Sequence, residues 1–453
     1  MTGRQTERPD ATWQPARLIS AVGIKGDVEQ EQRAVSSLLA VMVAVPDFGR
    51  EIVSRLGAPA GRMSTYIEVR FPNEEGPTLR PDGAIVVERG AKRWTFLVEV
   101  KTGVNEVRAE QVETYIDLAR AHGFDGVLTI SNQIMSGSDE LPFRMDPRKL
   151  RHAKVRHMSW WRILTMAVVQ KEHRGISDPE QGWILGELIR YLQDDRSGAS
   201  GFEDMGDKWV TVRDGIRDQT LKASDRSVQE IAERWEQFIE YISLELRQTL
   251  GRPVSAIWPR MTDREARVLA ASKLLVQDGL LSAALKVPDT AAPIDVEANL
   301  RTRQLVASTE IAAPRDGRAK GRIGWLLRQA KEMPPSLRVE VRYPNAREPT
   351  AARLTEALER PERLLYSPDP KRDPRSFRLV LADELGRKRG RGPGTFVGDS
   401  RKQLLDFYRD VLQRIRPWQP PAPRLPDKAE GAPVEEQVPV GVTVPQGPAA
   451  EET

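Results

Sequence analysis

The sequence predicts an α/β protein in which a mixed sheet is flanked by helices, followed by a helical segment and a C-terminal α+β domain. Over residues 27–175, apolar runs of strand length alternate with stretches of helical period, which is typical of an α/β sandwich. A polar stretch with Gly and Ser over 194–201 then precedes a long amphipathic pattern, and strand-like runs return beyond residue 291.

The first region opens with two predicted helices and a strand. After a loose lead-in over residues 1–26, apolar side chains at helical spacing predict a helix over 27–45, with Asp27 as its N-cap. A second helical piece over 48–56 stops at a glycine, and alternation predicts a strand over 66–71. The remaining elements are a strand hairpin with its turn at 88–93, a helix reaching His122, strands over 127–130 and 155–160, and helices over 161–171 and 181–192.

After residue 201 the pattern predicts helices first and a mixed domain second. One amphipathic helix covers 224–250 and either packs within the protein or forms a dimer interface. Another starts at the capping-box residues 262–265 and stops at Gly279. Later strands are predicted over 294–300, 304–311, 337–343 and 377–382, and later helices over 322–331 and 402–415. The predicted organisation is a flexible lead-in (1–26), a first domain (27–200), a helical segment (201–290), a basic α+β domain (291–417) and a disordered Pro-rich tail (418–453).

Composition excludes several kinds of site. The 453-residue chain has no cysteine and four histidines, which argues against disulfides, thiolate metal sites and His-rich zinc sites. His157 is expected to pack in the core. No apolar run reaches the about 18 residues of a membrane span, and the N-terminus lacks the apolar core of a signal peptide. We therefore expect a cytoplasmic protein with no membrane partner. The net charge of +4 permits nucleic-acid binding without requiring it.

Three charged residues converge at the predicted hairpin. Asp82 comes just before its first strand, while Glu99 and Lys101 close its second strand. Residues i and i+2 of a strand share a face, so Glu99 and Lys101 point the same way and Asp82 can face them across the hairpin. Two carboxylates in such a place repel each other and lose hydration, and a divalent cation offsets that cost. An oxygen-ligand site for Mg²⁺ or Mn²⁺ is therefore predicted.

These residues also carry a family resemblance. Pro81-Asp82, followed by Glu99-Val100-Lys101, resembles the signature of the PD-(D/E)xK nuclease superfamily, which includes restriction endonucleases and RecB-like exonucleases. Both halves of the signature fall on adjacent apolar strands, as that family requires. The resemblance covers residues 27–175 and implies a restriction-endonuclease-like mixed sheet flanked by helices.

Two neighbouring helices strengthen the resemblance. The preceding helix carries Glu31 on its apolar face, where the family often supplies another acidic ligand. The following helix carries Gln111 and Tyr115 as Gln-x-x-x-Tyr, similar to a motif of the RecB-like branch.

The resemblance implies a role for each residue. Asp82 and Glu99 would bind one or two Mg²⁺ (or Mn²⁺) ions, helped by the carbonyl of Val100 and by Glu31. Lys101 would orient the attacking water, or help to deprotonate it, and offset charge in the transition state. Gln111 and Tyr115 would position the substrate or the residues that contact the metal ligands.

Structural explanations of the same residues stay open. Glu99 and Lys101 can form an ordinary ion pair, although their strand is too apolar for a solvated edge. Glu31 can be a solvated or capping residue. Gln111 and Tyr115 stand four residues apart on a helix, where simple packing also accounts for them.

Two basic clusters in the C-terminal domain suit sequence-independent contact with phosphates. One lies in a Gly-rich loop, and the other precedes a helix whose N-terminus favours anions. A solvated loop is the alternative for the first cluster. The predicted nucleic-acid contacts are Arg387, Lys388, Arg389 and Arg391 in the loop, and Arg318, Lys320 and Arg322 in the second cluster.

The expected function is that of a metal-dependent nuclease that hydrolyses phosphodiester bonds. DNA is the expected substrate, RNA is not excluded, and restriction or phage defence is an analogy from the family. The alternative is a non-catalytic, nuclease-like adaptor that binds nucleic acid or protein in a stress-response or defence complex. A homodimer or a partner protein of a defence complex is open in either case.

Overall fold

Five strands form the first sheet, in the order in which they occur along the chain. The neighbours β1–β2 and β2–β3 are antiparallel, whereas β3–β4 and β4–β5 are parallel, so this sheet is mixed as predicted. The strands are Arg62–Ile67 (β1), Gly83–Arg89 (β2), Lys92–Val100 (β3), Gly126–Ser131 (β4) and Lys154–Ser159 (β5).

The computed structural model describes residues 18–71, 78–137, 140–151, 153–258, 264–386, 388, 390, 392 and 394–420.

Helices cover both faces of this sheet. Their bounds are Gly26–Ala44 (α1), Pro46–Leu56 (α2), Ala109–His122 (α3), Trp160–Val168 (α4) and Pro179–Gln193 (α5). On β3, Phe96, Val98 and Val100 face a core built with α1, α2, α4 and α5, whereas Leu97 faces a core built with α3. Because both faces are covered, β3 is a continuous apolar run instead of an alternating one.

Seven strands form a second sheet that is antiparallel throughout. Its spatial order is β11-β10-β12-β9-β8-β7-β6. Its strands are Ser255–Ile257 (β6), Leu280–Lys286 (β7), Ile294–Asn299 (β8), Gln304–Ala312 (β9), Arg338–Arg342 (β10), Thr350–Arg353 (β11) and Ser376–Glu384 (β12). The remaining helices are Trp209–Arg217 (α6), Arg226–Leu250 (α7), Arg264–Asp278 (α8), Ala319–Ala330 (α9), Leu354–Glu359 (α10) and Phe396–Asp410 (α11).

Helix α7 lies between the second sheet and the helices of the first. Its Trp235 donates a 3.1 Å hydrogen bond to the carbonyl of Ser282 in β7, within the core of the second sheet. Three of its glutamates are buried and each meets an arginine of a different helix. The pairs are Glu236–Arg267 of α8 (3.2 Å), Glu240–Arg162 of α4 (2.9 Å) and Glu245–Arg401 of α11. The described residues from Leu18 to Trp418 form one compact unit.

Several element boundaries differ from the prediction. The strand expected over 66–71 lies at Arg62–Ile67, because Glu68 adopts a left-handed φ of 51° that ends it. Asp27 is not the N-cap of α1; Lys25 holds that position without a side-chain cap. The hairpin turn is only Gly90 and Ala91, with Gly90 at φ 58°.

Further differences lie in the second half of the chain. Strands β6 and β7 occur in the segment expected to be helical, and the predicted boundary at residue 290 falls between the paired strands β7 and β8. Helix α11 starts at Phe396 instead of residue 402, because the Thr395 hydroxyl caps it by accepting a 3.0 Å hydrogen bond from the N–H of Gly398.

Some predicted features lie outside the described residues. These are the lead-in up to residue 17, Thr262 and Asp263 of the capping box, and the tail from residue 421. No helix in the described ranges is long and apolar enough to cross a membrane.

Candidate active site

Asp82 is fixed at the start of β2 by backbone groups. Its Oδ2 accepts a 2.7 Å hydrogen bond from the N–H of Val100, and its carbonyl accepts one of 2.9 Å from the N–H of Glu68. Gly83 pairs with Val98 in the antiparallel hairpin, so Asp82 lies beside the end of β3. The hairpin therefore brings the predicted aspartate next to the predicted glutamate.

Glu99 and Lys101 lie on one side at the end of β3, as the strand period predicts. Glu99 is 1% exposed. The ammonium Nζ of Lys101 lies 2.9 Å from Glu99 Oε1 and 3.1 Å from Oε2 of Glu31. Helix α1 thus supplies a third carboxylate, and Lys101 is held between two of the three.

Glu31 is neither a helix cap nor a solvated residue. Besides its contact with Lys101, its Oε1 accepts a 3.1 Å hydrogen bond from the side-chain amide of Asn105. The same amide lies 3.3 Å from an oxygen of Asp27. The sequence interpretation did not single out Asn105, and its place in the turn just after Lys101 was the available signal.

Gln111 and Tyr115 face the same carboxylate from α3. The Gln111 amide donates a 2.7 Å hydrogen bond to Glu99 Oε1 and a 3.2 Å one to the Tyr115 hydroxyl. The Tyr115 hydroxyl in turn lies 3.3 Å from the carbonyl of Arg80, next to Pro81. Packing alone does not account for the pair, because Gln111 bonds the acid directly.

Burial dominates the titration of the two acids at the hairpin. Burial first and the charge of Asp82 second raise the pKa of Glu99 to about 7, against the opposing charge of Lys101. Burial also raises the pKa of Asp82, against the hydrogen bond from Val100 and the charge of Lys101. A bound cation would lower the pKa of both acids and so favour their ionised forms.

The two neighbouring groups shift in the direction that keeps their protons. Burial disfavours the charge on Lys101, but the charge of Glu99 and its hydrogen bond outweigh burial and raise the Lys101 pKa. Lys101 is therefore an ammonium at neutral pH. Burial, then the charge of Glu99, raises the pKa of Tyr115 to about 12, so its hydroxyl stays neutral.

A search against protein-family models found no match to this chain, and neither did a search of curated proteins. The nuclease resemblance therefore depends on the quoted residues, and the site has to be judged by its own chemistry.

The two carboxylate oxygens of Glu99 differ in their hydrogen bonding. Glu99 Oε2 is buried and has no hydrogen-bond partner among the residues that the structure describes. A buried carboxylate oxygen without a donor costs free energy, which a cation or a proton would recover. Carboxylate oxygens of Asp82 and Glu99 are the hard ligands that Mg²⁺ and Mn²⁺ prefer.

The donor set fits a two-carboxylate site better than a three-carboxylate one. Within the described residues, no group of three or more His, Cys, Asp and Glu side chains is arranged as a ready ligand set. Lys101 lies between Glu31 and Glu99 and bonds both. Asp82 and Glu99 are thus the ligands that fit, and Glu31 would have to exchange its partner to join them.

A groove of about 420 Å³ opens beside Asp82. It runs between α1 and the segment that leads into β2, and Asp82 is part of its lining. Glu68 lies on its rim, where Arg80 holds the carboxylate at 2.6 Å. The lining includes Gln32, Arg33, Ser36, Glu68, Arg80 and Asp82.

The predicted linker over 194–201 is tied to the site loops. The Gln30 amide of α1 donates a 2.9 Å hydrogen bond to the carbonyl of Arg196. Asn132, just after β4, donates to the carbonyls of Gly103 (2.9 Å) and Gly198 (2.8 Å). These polar residues, which the sequence did not point out, fix the loop that follows Lys101.

His157 is a core residue, as predicted. It is 7% exposed, with Nδ1 3.0 Å from the Thr129 hydroxyl and Nε2 2.8 Å from the carbonyl of Gln133. Burial lowers its pKa to about 4, so it is neutral in the folded protein.

The second basic cluster is only partly free. Arg318 and Lys320 are exposed at the start of α9. The guanidinium of Arg322 instead donates 2.8 Å hydrogen bonds to the carbonyls of Gly317 and Arg315, and it pairs with Asp373 at 3.1 Å. Arg322 therefore already holds its own loop together.

The Gly-rich loop is described only in part. Lys388 is exposed, and its N–H donates a 2.8 Å hydrogen bond to the carbonyl of Gly394. Arg387, Arg389 and Arg391 lie outside the described residues. The nucleic-acid role of both clusters stays a prediction.

Proposed function

We propose that this protein is a Mg²⁺- or Mn²⁺-dependent nuclease that hydrolyses phosphodiester bonds in DNA. In this proposal the first sheet and its helices are a restriction-endonuclease-like domain of the RecB-like branch. The observation that carries the proposal is the convergence of Asp82, Glu99 and Lys101 at the end of the hairpin, where no described residue donates a hydrogen bond to the buried Glu99 Oε2.

Each side chain has a task in this reaction. A divalent cation, when bound by Asp82 and Glu99, would supply Lewis-acid polarisation of the phosphodiester. The oxygen of a water forms the new bond to phosphorus and releases one proton to bulk solvent, while the bond to the leaving oxygen breaks and that oxygen takes a proton from bulk solvent. Lys101 is an ammonium, so it donates hydrogen bonds to the water and the phosphoryl oxygens and does not act as the base.

The outer groups keep Glu99 in place. Gln111 bonds Glu99 Oε1, and its other contact, Tyr115, reaches the backbone beside Pro81. Together they hold the hairpin ends at a fixed separation, as hydrogen bonds behind a metal site generally do. The groove beside Asp82 offers the path by which a phosphodiester would reach the acids.

Plasmid cleavage tests the proposal. Purified full-length protein with supercoiled plasmid and Mg²⁺ or Mn²⁺ should nick or linearise the DNA, and EDTA should stop it. Asp82→Asn and Lys101→Met should each lose activity, whereas Glu88→Gln, an exposed acid of the same hairpin, should not. Equal cleavage by the Asp82, Lys101 and wild-type proteins would show that the assigned site is not the active site.

A non-catalytic adaptor is the second candidate, and one observation favours it. Lys101 already pairs with both Glu31 and Glu99, so the cluster is partly neutralised without a metal. Calorimetry with Mn²⁺ separates the two candidates, because a nuclease site should bind the ion and lose it in Asp82→Asn. No Mn²⁺ binding together with no cleavage would favour the adaptor, acting on nucleic acid or a defence-complex partner.

A further inference from the structure

A second cavity lies far along the chain from the hairpin acids, at the C-terminal end of α7. Its volume is about 270 Å³, close to the lower end of the range for small-ligand pockets. Residues of the first-sheet region, of α7 and of the edge strand β6 all contribute to it. The lining includes Ser136, Arg162, Glu240, Arg247, Val254 and Ser255.

Arg247 contributes a positively charged guanidinium group to the lining of this cavity. The residue is half-buried, and its guanidinium has no hydrogen bond or ion pair within the part of the chain that the structure describes. Each other charged side chain of the lining is already paired, since Arg162 bonds Glu240 at 2.9 Å. A half-buried guanidinium without an acceptor is costly, and an anion in the cavity would relieve that cost.

The surroundings of Arg247 add positive charge. Burial lowers its pKa first, and the charges of nearby arginines lower it further. On the α2 side, Glu51 is shared by two arginines, at 2.7 and 3.0 Å. Among the charges that act most strongly on Arg247, three are guanidinium groups (Arg55, Arg162, Arg174) and one is a carboxylate (Glu51).

The position of Arg247 in the fold does not remove this excess. It lies in the last turn of α7, where the helix dipole favours a cation. That effect is modest, and it does not supply a hydrogen-bond acceptor for the Arg247 guanidinium. The exposed Ser255 at the cavity adds a hydroxyl donor for an anion.

We propose that this cavity binds the phosphate group of a small phosphorylated ligand, up to about the size of a mononucleotide. Guanidinium groups recognise phosphate oxygens through paired, charge-assisted hydrogen bonds. Ser136 and Arg162 belong to the first-sheet region and Ser255 to the second sheet, so a bound phosphate would touch both. The site is independent of the proposed nuclease chemistry and gives the chain a means of sensing a phosphorylated small molecule.

Binding to the full-length protein tests the proposal. Inorganic phosphate, AMP and adenosine are titrated by calorimetry, with thermal melting as a second readout. Phosphate and AMP should bind and raise the melting temperature, and adenosine should do neither. Tighter binding of AMP than of phosphate identifies a nucleotide-type ligand, while equal binding identifies free phosphate; both agree with a phosphate site.

Variants locate the binding. Arg247→Gln should weaken AMP or phosphate by about tenfold or more, the usual cost of losing a charge-assisted hydrogen bond. Arg226→Gln is the matched control, because it makes the same change at a 92% exposed side chain on the same helix, and its affinity should equal wild type. Ser255→Glu is a second variant at an exposed position, whose carboxylate should repel the anion even where Arg247→Gln does not fold.

Three outcomes would overturn the proposal. These are wild-type affinity in both Arg247→Gln and Ser255→Glu, adenosine binding as well as AMP, or no binding of phosphate and AMP at millimolar concentration. Displacement of AMP by a single-stranded oligonucleotide at equal phosphate concentration would assign the cavity to a nucleic-acid backbone instead.

Discussion

The side-chain amide of Gln111 donates a 2.7 Å hydrogen bond to Glu99 Oε1, the same oxygen that the Lys101 ammonium approaches at 2.9 Å. Both donors therefore use one oxygen of the carboxylate, and the buried Oε2 has no hydrogen-bond partner in the described part of the chain. The carboxylate is oriented by one oxygen and available through the other. This division is what a metal ligand held by neighbouring groups needs.

Loss of the Lys101 charge should destabilise the protein in a pH-dependent way. Lys101→Met leaves the Glu99 and Glu31 carboxylates without their ammonium, and we expect a loss of about 3 kcal/mol in the free energy of unfolding at pH 8. The loss should be smaller at pH 6, because Glu99, whose pKa is about 7 even beside Lys101, takes up a proton there. Urea unfolding in EDTA measures both values. Lys92→Met, at the exposed start of the same strand, should change neither, and an equal loss at both pH values for Lys101→Met would contradict the account.

Replacing His157 should make the free energy of unfolding depend less on pH below pH 6.5. Its pKa of about 4 in the folded protein lies below the ordinary value of about 6.5, so the unfolded chain takes up a proton in this window and the folded one does not. His157 therefore does not lower the free energy of unfolding above pH 6.5. As the pH falls from 6.5 toward 4, its titration lowers that free energy by up to about 1.4 kcal/mol per pH unit. His157→Gln keeps a donor for the Gln133 carbonyl but does not titrate. Its unfolding free energy should change less between pH 6.5 and 4.5 than that of wild type or of the exposed control His173→Gln.

Alanine at Gly198 should cost more than alanine at another left-handed glycine. Gly198 and Gly123 have φ values of 72° and 67°, so both substitutions pay for the left-handed backbone. A Cβ at Gly198 would also clash with the side-chain amide of Gln30, whereas one at Gly123 meets no atom of the described residues within 4 Å. We expect Gly198→Ala to lose about 1 kcal/mol or more beyond Gly123→Ala, since Gln30 must give up its hydrogen bonds. Thermal unfolding of the two variants checks this. Equal losses of stability would mean that the loop and Gln30 rearrange around the added Cβ without a cost in free energy.

The Gln111 contact should matter for catalysis if the proposed function holds. Gln111→Leu removes the hydrogen bond to Glu99 Oε1 while keeping the helix, and we expect kcat/KM for DNA cleavage to fall about 10- to 100-fold. Mn²⁺ affinity should fall as well, which a purely packing role would not produce. Thr114→Ala, on the exposed face of the same helix, should leave both unchanged. Unaltered cleavage and Mn²⁺ affinity in Gln111→Leu would confine Gln111 to packing.

The sequence predicted the core of the first domain well because its signals are local. The apolar run ending at Glu99 and the two-residue period place Glu99 and Lys101 on one side, and Gly57 and Gly123 end helices as expected, each in the left-handed conformation. The family motif singled out Gln111, but its hydrogen bond to Glu99 Oε1 was not predicted.

Other features could not be predicted because they depend on distant residues. Strand β7 is a run of Leu, Ser and Ala with weak strand character, and its pairing with β8 decides its conformation. The loop over 194–201 has the composition of a linker, yet Gln30 and Asn132 hold it from positions far away in the chain. Such hydrogen bonds leave no periodic mark in a sequence.

The three buried glutamates of α7 limit how this chain can be divided. A fragment that ends at Leu250 would keep Glu236 and Glu245 but lose Arg267 and Arg401, leaving two carboxylates on an uncovered helix face without their cations. A fragment that starts at residue 201 would likewise remove Arg162 and leave the Glu240 carboxylate without this cation. Any expression or domain-exchange experiment that cuts on either side of α7 should therefore yield poorly soluble pieces, and the two sheets are best purified together.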